Sequence, residues 1–315
     1  MFETGMSIRF ARLTRSIIIL VILQILLTQC TRPRFVPEGY VIICAQSLKI
    51  VKYTKEHPEG TILYQLYAPG DYPDSDYTIT SVAYDPERKL IAIAMENKEP
   101  QRGTAVIKLL DEKTLSFVKE IITKKDRIYG MSIDREGRIT FAAGDMYFAQ
   151  PGELCYLSPD DEIVHTIAKG EHFMWPSWNK DSKRIYFTYN MQNSAGHIAY
   201  VELANPNVIK QIAEGKSIGV SGSGKVAYLT NKGDIILMHK IDDMSTSSKQ
   251  LLGHVKPQFS DRIRFVKGTE DILIQHYRKM AYDLEVLQPP YKKEKLMLPY
   301  VGMGDFDAAY VKKES

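Results

Sequence analysis

One pattern constrains this 315-residue chain more than any other: from Tyr40 onward, a short apolar run, a polar turn and a second apolar run return at a long period. The first runs are Val82-Ala83-Tyr84, Met131-Ser132-Ile133, Pro176-Ser177-Trp178, Ile218-Gly219-Val220 and Ile263-Arg264-Phe265. Their turns are 85–89, 134–138, 179–183, 221–225 and 266–271, and each leads into runs such as Leu90-Ile91-Ala92-Ile93 or Ile139-Thr140-Phe141. Two further strand-like runs follow each pair, as at 104–107 and 116–118. No long amphipathic helical pattern interrupts this region, and turn clusters recur every ~8–12 residues. Four strands every ~40–50 residues mark a propeller blade, a small sheet that buries its faces only against neighbouring copies. The opening segment 40–67 supplies three strands, and 305–311 is an orphan shaped like a first strand. Joining the two completes a sixth blade and removes two exposed sheet edges. The expectation is an all-β fold: a six-bladed β-propeller of four-stranded antiparallel blades over 40–315, closed by its C-terminal strand.

The N-terminus reads differently. Arg9, Arg12 and Arg15 precede an apolar run over 17–27 that only Gln24 interrupts. That run is short for a membrane span, which takes about 20 apolar residues, and it matches the apolar region of an export signal. It ends Leu27-Thr28-Gln29-Cys30, which resembles the bacterial lipobox, where a Leu stands three positions before the Cys that is lipidated. The resemblance implies a signal peptide over 1–29, a lipid on Cys30 and a stiff tether over 30–39 containing Pro33 and Pro37. Gln29 stands where that pattern takes a small residue, which leaves an uncleaved anchor or ordinary secretion open. In every case the chain is exported, and two or more acyl chains on Cys30 would hold it durably on a membrane, periplasmic or cell-surface side.

In the fourth repeat, Trp175-Pro176-Ser177-Trp178-Asn179-Lys180-Asp181-Ser182-Lys183-Arg184-Ile185-Tyr186-Phe187 resembles the repeat P-x-W-S-P-D-G-K-x-I-x-F of the TolB-type, WD40-like propellers, and the run from His197 to Leu203 is similar to that repeat's third strand. The resemblance covers this blade well and the others in outline. It implies the architecture. The chain is too short for the separate α/β domain that precedes the propeller in that family, so the family's partner-binding role does not carry over.

Signals for chemistry are sparse. Gly219-Val220-Ser221-Gly222-Ser223-Gly224-Lys225 approaches a phosphate loop, but Val226 stands where a metal-binding hydroxyl belongs and the segment aligns with a blade turn. Ser223 likewise breaks G-x-S-x-G. Seven His residues show no metal-ligand spacing, and the acidic stretch 71–77 lacks the register of a calcium loop. No catalytic residue, metal or cofactor is expected. The net charge of +3 is spread along the chain, which argues against nucleic acid. Cys44 and Cys155 read as buried thiols, with a disulfide as the alternative.

The leading expectation is therefore a non-enzymatic cell-envelope lipoprotein, a monomeric propeller that binds a protein or peptide. The alternatives are a hydrolase or lyase with carboxylates and His at the channel mouth, and a carbohydrate- or small-ligand-binding lipoprotein. In a propeller, the loops from each fourth strand to the next first strand share a face with those joining second to third. Here those loops are long and aromatic: 70–77, 96–102, 144–151, 189–196 and 253–260. Binding residues concentrate on such loops, which nominates Tyr72, Tyr77, Tyr147, Phe148, His172, Trp175, Tyr189 and Met191 as the contact surface, unless these aromatics fold back over their own blades.

Overall fold

The computed structural model describes residues 35–66, 77–97, 105–144, 152–158, 163–170, 172–178, 183–189, 196–239, 248–256, 261–278, 281–294 and 305–312. These residues contain no helix and form six four-stranded antiparallel sheets. Blade 2 is β4 (Tyr77–Asp85), β5 (Leu90–Asn97), β6 (Val106–Asp111) and β7 (Phe117–Ile122). Blade 3 is β8 (Arg127–Ile133), β9 (Ile139–Gly144), β10 (Gly152–Leu157) and β11 (Val164–Gly170). Blade 4 holds β12 (Phe173–Trp178), β13 (Arg184–Tyr189), β14 (His197–Glu202) and β15 (Asn205–Glu214). Blade 5 holds β16 (Ser217–Val220), β17 (Val226–Leu229), β18 (Asp234–Met238) and β19 (Lys249–His254). Blade 6 is β20 (Arg262–Phe265), β21 (Ile272–Arg278), β22 (Ala281–Gln288) and β23 (Lys292–Glu294).

Blade 1 is assembled from both ends of the propeller, in the order β24 (Phe306–Tyr310), β1 (Tyr40–Gln46), β2 (Lys49–Tyr53), β3 (Thr61–Gln65). The closing strand is the one the orphan run predicted. Its register sets Tyr40 opposite Tyr310 and Cys44 opposite Phe306. Beyond the sheet, Lys267 bridges Ala309 in parallel and so ties blade 6 to blade 1. The innermost strands touch in the cycle β24, β4, β8, β12, β16, β20 and back to β24, which closes the ring.

The strands pack on both faces, so their inner members are almost continuously apolar rather than alternating. Alternation then decides which neighbour each residue meets. Along β1, Ile42 and Cys44 join Leu273, Val286 and Phe306 in the wedge toward blade 6, while Val41, Ile43 and Ala45 join Ile79, Val82 and Ile93 toward blade 2. The other four wedges hold equivalent apolar clusters. Cys44 and Cys155 are both buried and free. Burial pushes the Cys155 thiol up to about 12 and raises that of Cys44 as well, so neither is a ready nucleophile.

Each outermost strand has an open edge. The pairs β2–β3, β6–β7, β10–β11, β14–β15 and β18–β19 all carry a register shift. Such bulges twist an edge strand away from straight pairing and hinder edge-to-edge aggregation.

Candidate functional site: the two ends of the channel

Six inner strands surround the channel, and their two ends are built by different rules. At the turn end, the first strands of blades 2, 3, 5 and 6 pass into their second strands through tight turns. The Asp85 carboxylate accepts the N–H groups of Glu87 and Arg88 at 3.0 and 3.1 Å and pairs with the Arg88 guanidinium at 2.8 Å. Asp134 repeats this in blade 3, accepting from Glu136 and Arg138 N–H at 2.9 and 2.8 Å and from Arg138 Nε at 2.8 Å. In blade 5 the Ser221 hydroxyl takes the Lys225 N–H at 3.0 Å. Short side chains that accept from their own turn are why Asp, Asn or Ser recurs at this place in the sequence repeat.

These turns rim an open cup of about 500 Å³. Its walls include Ile133, Trp178, Val220, Phe265 and Val266, with Ser132, Ser177 and Ser221 between them. Arg264, Lys267 and Asp307 lie toward its floor, and Glu87, Arg135 and Lys312 contribute charge at its edge.

Below the cup the channel is closed. Arg264, from blade 6, crosses to the opposite blade 3 and donates to the Met131 carbonyl at 3.0 Å while holding both Asp305 oxygens at 3.1 and 3.2 Å. Asp305 also takes the Ser81 hydroxyl and pairs with Arg262. Asp307 accepts the Tyr84 N–H at 2.8 Å and the Lys267 ammonium at 2.7 Å. Burial alone would raise the Asp305 carboxyl, but Arg264 and Arg262, with the Ser81 hydroxyl and the Phe306 N–H, hold it below the ordinary carboxylate range. Carboxylates therefore converge in this channel, and each has its own cations. The arrangement locks blades 1 and 6 together, and neither Asp305 nor Asp307 is left as a base or nucleophile.

At the loop end, Trp175, Arg262 and Glu96 are buried. The Arg262 guanidinium lies 3.3 Å from the centroid of the Trp175 ring, with Trp175 itself only 9% exposed. Trp175 sits in a bulge between Met174 and Ser177 with φ +54°, a region an aromatic residue rarely adopts. Between blades 2 and 3, Glu96 accepts the Ile128 N–H at 3.1 Å and pairs with Arg127 Nε at 3.2 Å. Desolvation there outweighs the neighbouring Arg127 and pushes the Glu96 carboxyl up to about 7.

The nominated contact residues divide accordingly. Tyr77, at the start of β4, His172, just before β12, and Tyr189, at the end of β13, are half-buried and share the loop end. Tyr189 donates to Gln211 at 3.3 Å and its ring lies 5.3 Å from that of His197. Trp175 belongs to the same end but is buried beneath Arg262, which removes it from an exposed surface. Tyr72, Tyr147, Phe148 and Met191 lie outside the described residues, as does Cys30. Sequence reasoning placed no site on Arg262, Arg264, Asp305 and Asp307. Their signal was the spacing itself: Arg-x-Arg and Asp-x-Asp on otherwise apolar first strands put both charges on the channel face.

Among the solved structures that share this fold, two are as follows. A chain of the crystal structure of a nidogen/laminin complex matches with a TM-score of 0.63 at 10% identity, over 86% of this chain and 98% of that one. TolB from Acinetobacter baumannii matches with a TM-score of 0.61 at 14% identity, over 87% of this chain and 67% of that one. The fold is TolB-like. No protein-family model and no curated protein matches the chain in sequence. What the TolB-like fold shares here is the ring of six blades; identities this low carry the architecture and no site residue.

Proposed function

We propose that this chain is an exported, non-enzymatic propeller, tethered to a membrane of the cell envelope through a lipid on Cys30, that binds a protein or peptide partner across the loop end of its ring. One observation supports the reading: the channel is plugged by Arg264, Asp305 and Arg262, while Tyr77, His172 and Tyr189 are half-buried at the loop end. Rigid aromatic side chains at the rim of a fixed scaffold suit an interface core, because they bury much area for little lost freedom. The pairing of Asp305 and Asp307 weighs against the hydrolase or lyase alternative. The likeness to a chain of the nidogen/laminin complex adds that such a ring occurs in a protein assembly.

The test is a pull-down from envelope extract with the full chain and with Tyr77→Glu and Tyr189→Glu, each checked for an unchanged melt. Loss of a partner that the parent recovers supports the loop end. Loss instead on Arg135→Glu and Lys312→Glu would place recognition at the turn end and overturn the proposal. In the same host, Cys30→Ala should abolish palmitate labelling and release the protein from membranes.

A further inference from the structure

We propose that the cup at the turn end is a separate binding site, and that its ligand is a small organic anion, a carboxylate carried on an apolar body. The first argument is which charges reach the cup. Asp85, Asp134 and Asp307 are buried, and each already faces backbone N–H groups and a cation of its own. The cations are less hidden. The Lys267 side chain is 28% exposed and that of Arg264 13%, against 2% for Asp307, which both approach. At the edge, Arg135 and Lys312 are exposed, and Glu87 is the one exposed carboxylate among the described lining residues. An entering group therefore meets mainly positive charge.

The second argument is spare donors. The hydrogen bonds of Arg264, to the Met131 carbonyl and to Asp305, all run from Nη2. Its Nη1 lies 3.9 Å from Asp307, beyond hydrogen-bond reach, and Nε has no partner among the described residues. Lys267 gives the Tyr84 carbonyl and Asp307 two of the three N–H groups an ammonium carries. Both Asp307 oxygens are taken, one by the Ala308 N–H and the other by Lys267 and the Tyr84 N–H. Two cations that share one carboxylate thus keep donors it does not answer. A second carboxylate, brought by a ligand, would accept from guanidinium and ammonium together, in the charge-assisted bonds that are the stronger kind.

The third argument is the walls. Ile133, Val220 and Phe265 give the cup apolar sides above its charged floor. Inorganic phosphate would gain nothing from those sides, and a bare hydrocarbon would strip water from the floor cations without replacing it. A ring or short chain that ends in one carboxylate uses both. At about 500 Å³ the cup is of the size that holds such molecules.

The test is calorimetry on the full chain with benzoate, phenylacetate, indole-3-acetate and hexanoate, at least one of which should bind saturably. The amide of that acid has the same shape without the charge, and it should bind at least about tenfold more weakly. Lys267→Gln should weaken the carboxylate about tenfold, and the exposed edge variants Arg135→Gln and Lys312→Gln about twofold to fivefold each. Each variant is checked for an unchanged melt. Should Lys267→Gln fail to fold, the amide and the two edge variants decide the matter. No saturable binding of any of the four acids, an amide that binds as well as its acid, or an affinity unchanged in every folded variant overturns the site. Tighter binding of inorganic phosphate than of any of the four overturns the ligand class. Tyr77→Glu and Tyr189→Glu should leave the carboxylate affinity unchanged, so this proposal and the loop-end reading fail separately.

Discussion

The two ends of one channel are lined by the same six strands, yet they treat polar groups in opposite ways. At the turn end, Asp85, Asp134 and Ser221 are buried but accept hydrogen bonds from backbone N–H groups only two to four residues ahead. Deeper in the channel and at the loop end, Arg262, Asp305 and Glu96 are buried and find their charged partners far away in sequence. Bulges mark the difference: in blades 2, 3 and 4 the pairing of first and second strands slips between Ile79 and Ser81, Ile128 and Met131, and Met174 and Ser177. In blades 5 and 6 the described pairing runs without a slip. For the plug, the bulged half of the ring gives the Met131 carbonyl, the Ser81 hydroxyl and the Trp175 ring, and the regular half, with the closing strand, gives the charges. A polar group held by its own turn keeps its partner whatever the rest of the ring does. One held across the ring does not.

The sharpest way to break that contrast is Asp305→Ala. It strands Arg262 and Arg264 without their shared carboxylate, and removing one side of a buried charge network costs about 3–5 kcal/mol. A melt within error of the parent would show that the channel charges are solvated after all.

The next effect is a pH dependence from Glu96. Its folded value of about 7 lies above the ordinary 4.5, so the folded state holds an extra proton between those values. Stability must therefore fall as pH rises through that interval, by about 3 kcal/mol once the group is fully ionised. Glu96→Gln should flatten the change between pH 5 and 8, as read in urea midpoints at several pH values. A parent midpoint that rises with pH would refute the assignment.

The smallest contrast compares two glycines. Gly130 has φ +114°, and a methyl there would meet Trp175 Cε3 at 2.7 Å. Gly130→Ala should therefore cost about 2–3 kcal/mol. Gly222, in the blade 5 turn, has nothing within 4 Å of an added methyl, so Gly222→Ala should stay within about 0.5 kcal/mol. Comparable losses at both positions would erase the distinction between the ends.

The same contrast explains what could be read in advance. The turns at 85–89, 134–138 and 221–225 were legible because an Asp or Ser bonding its own backbone is a local event, and repetition exposed the period. The closing strand was legible because 305–311 had no partner nearby in the chain. The plug was not, since Arg264 and Met131 are 133 residues apart and meet only once the ring has closed. The burial of Trp175 depends likewise on a bulge and on a guanidinium from two blades away. Long aromatic loops drew attention to one face, while the described cavity opens on the other, whose short turns looked merely structural.

Closure also leaves the two ends of the propeller side by side. The Val311 N–H donates to the Gly39 carbonyl at 2.7 Å, and Tyr40 faces Tyr310 across the seam. In polymer terms the ring has almost no chain cost to being made covalently continuous. A few added residues between 312 and 38 would circularise it, and a new start could then be cut at any exposed turn, such as the one at Asn231 and Lys232. The blade that is now stitched from both termini would become an ordinary one, and the stitch would move elsewhere. Position along the chain is thus nearly interchangeable in this molecule, whereas position along the channel is not.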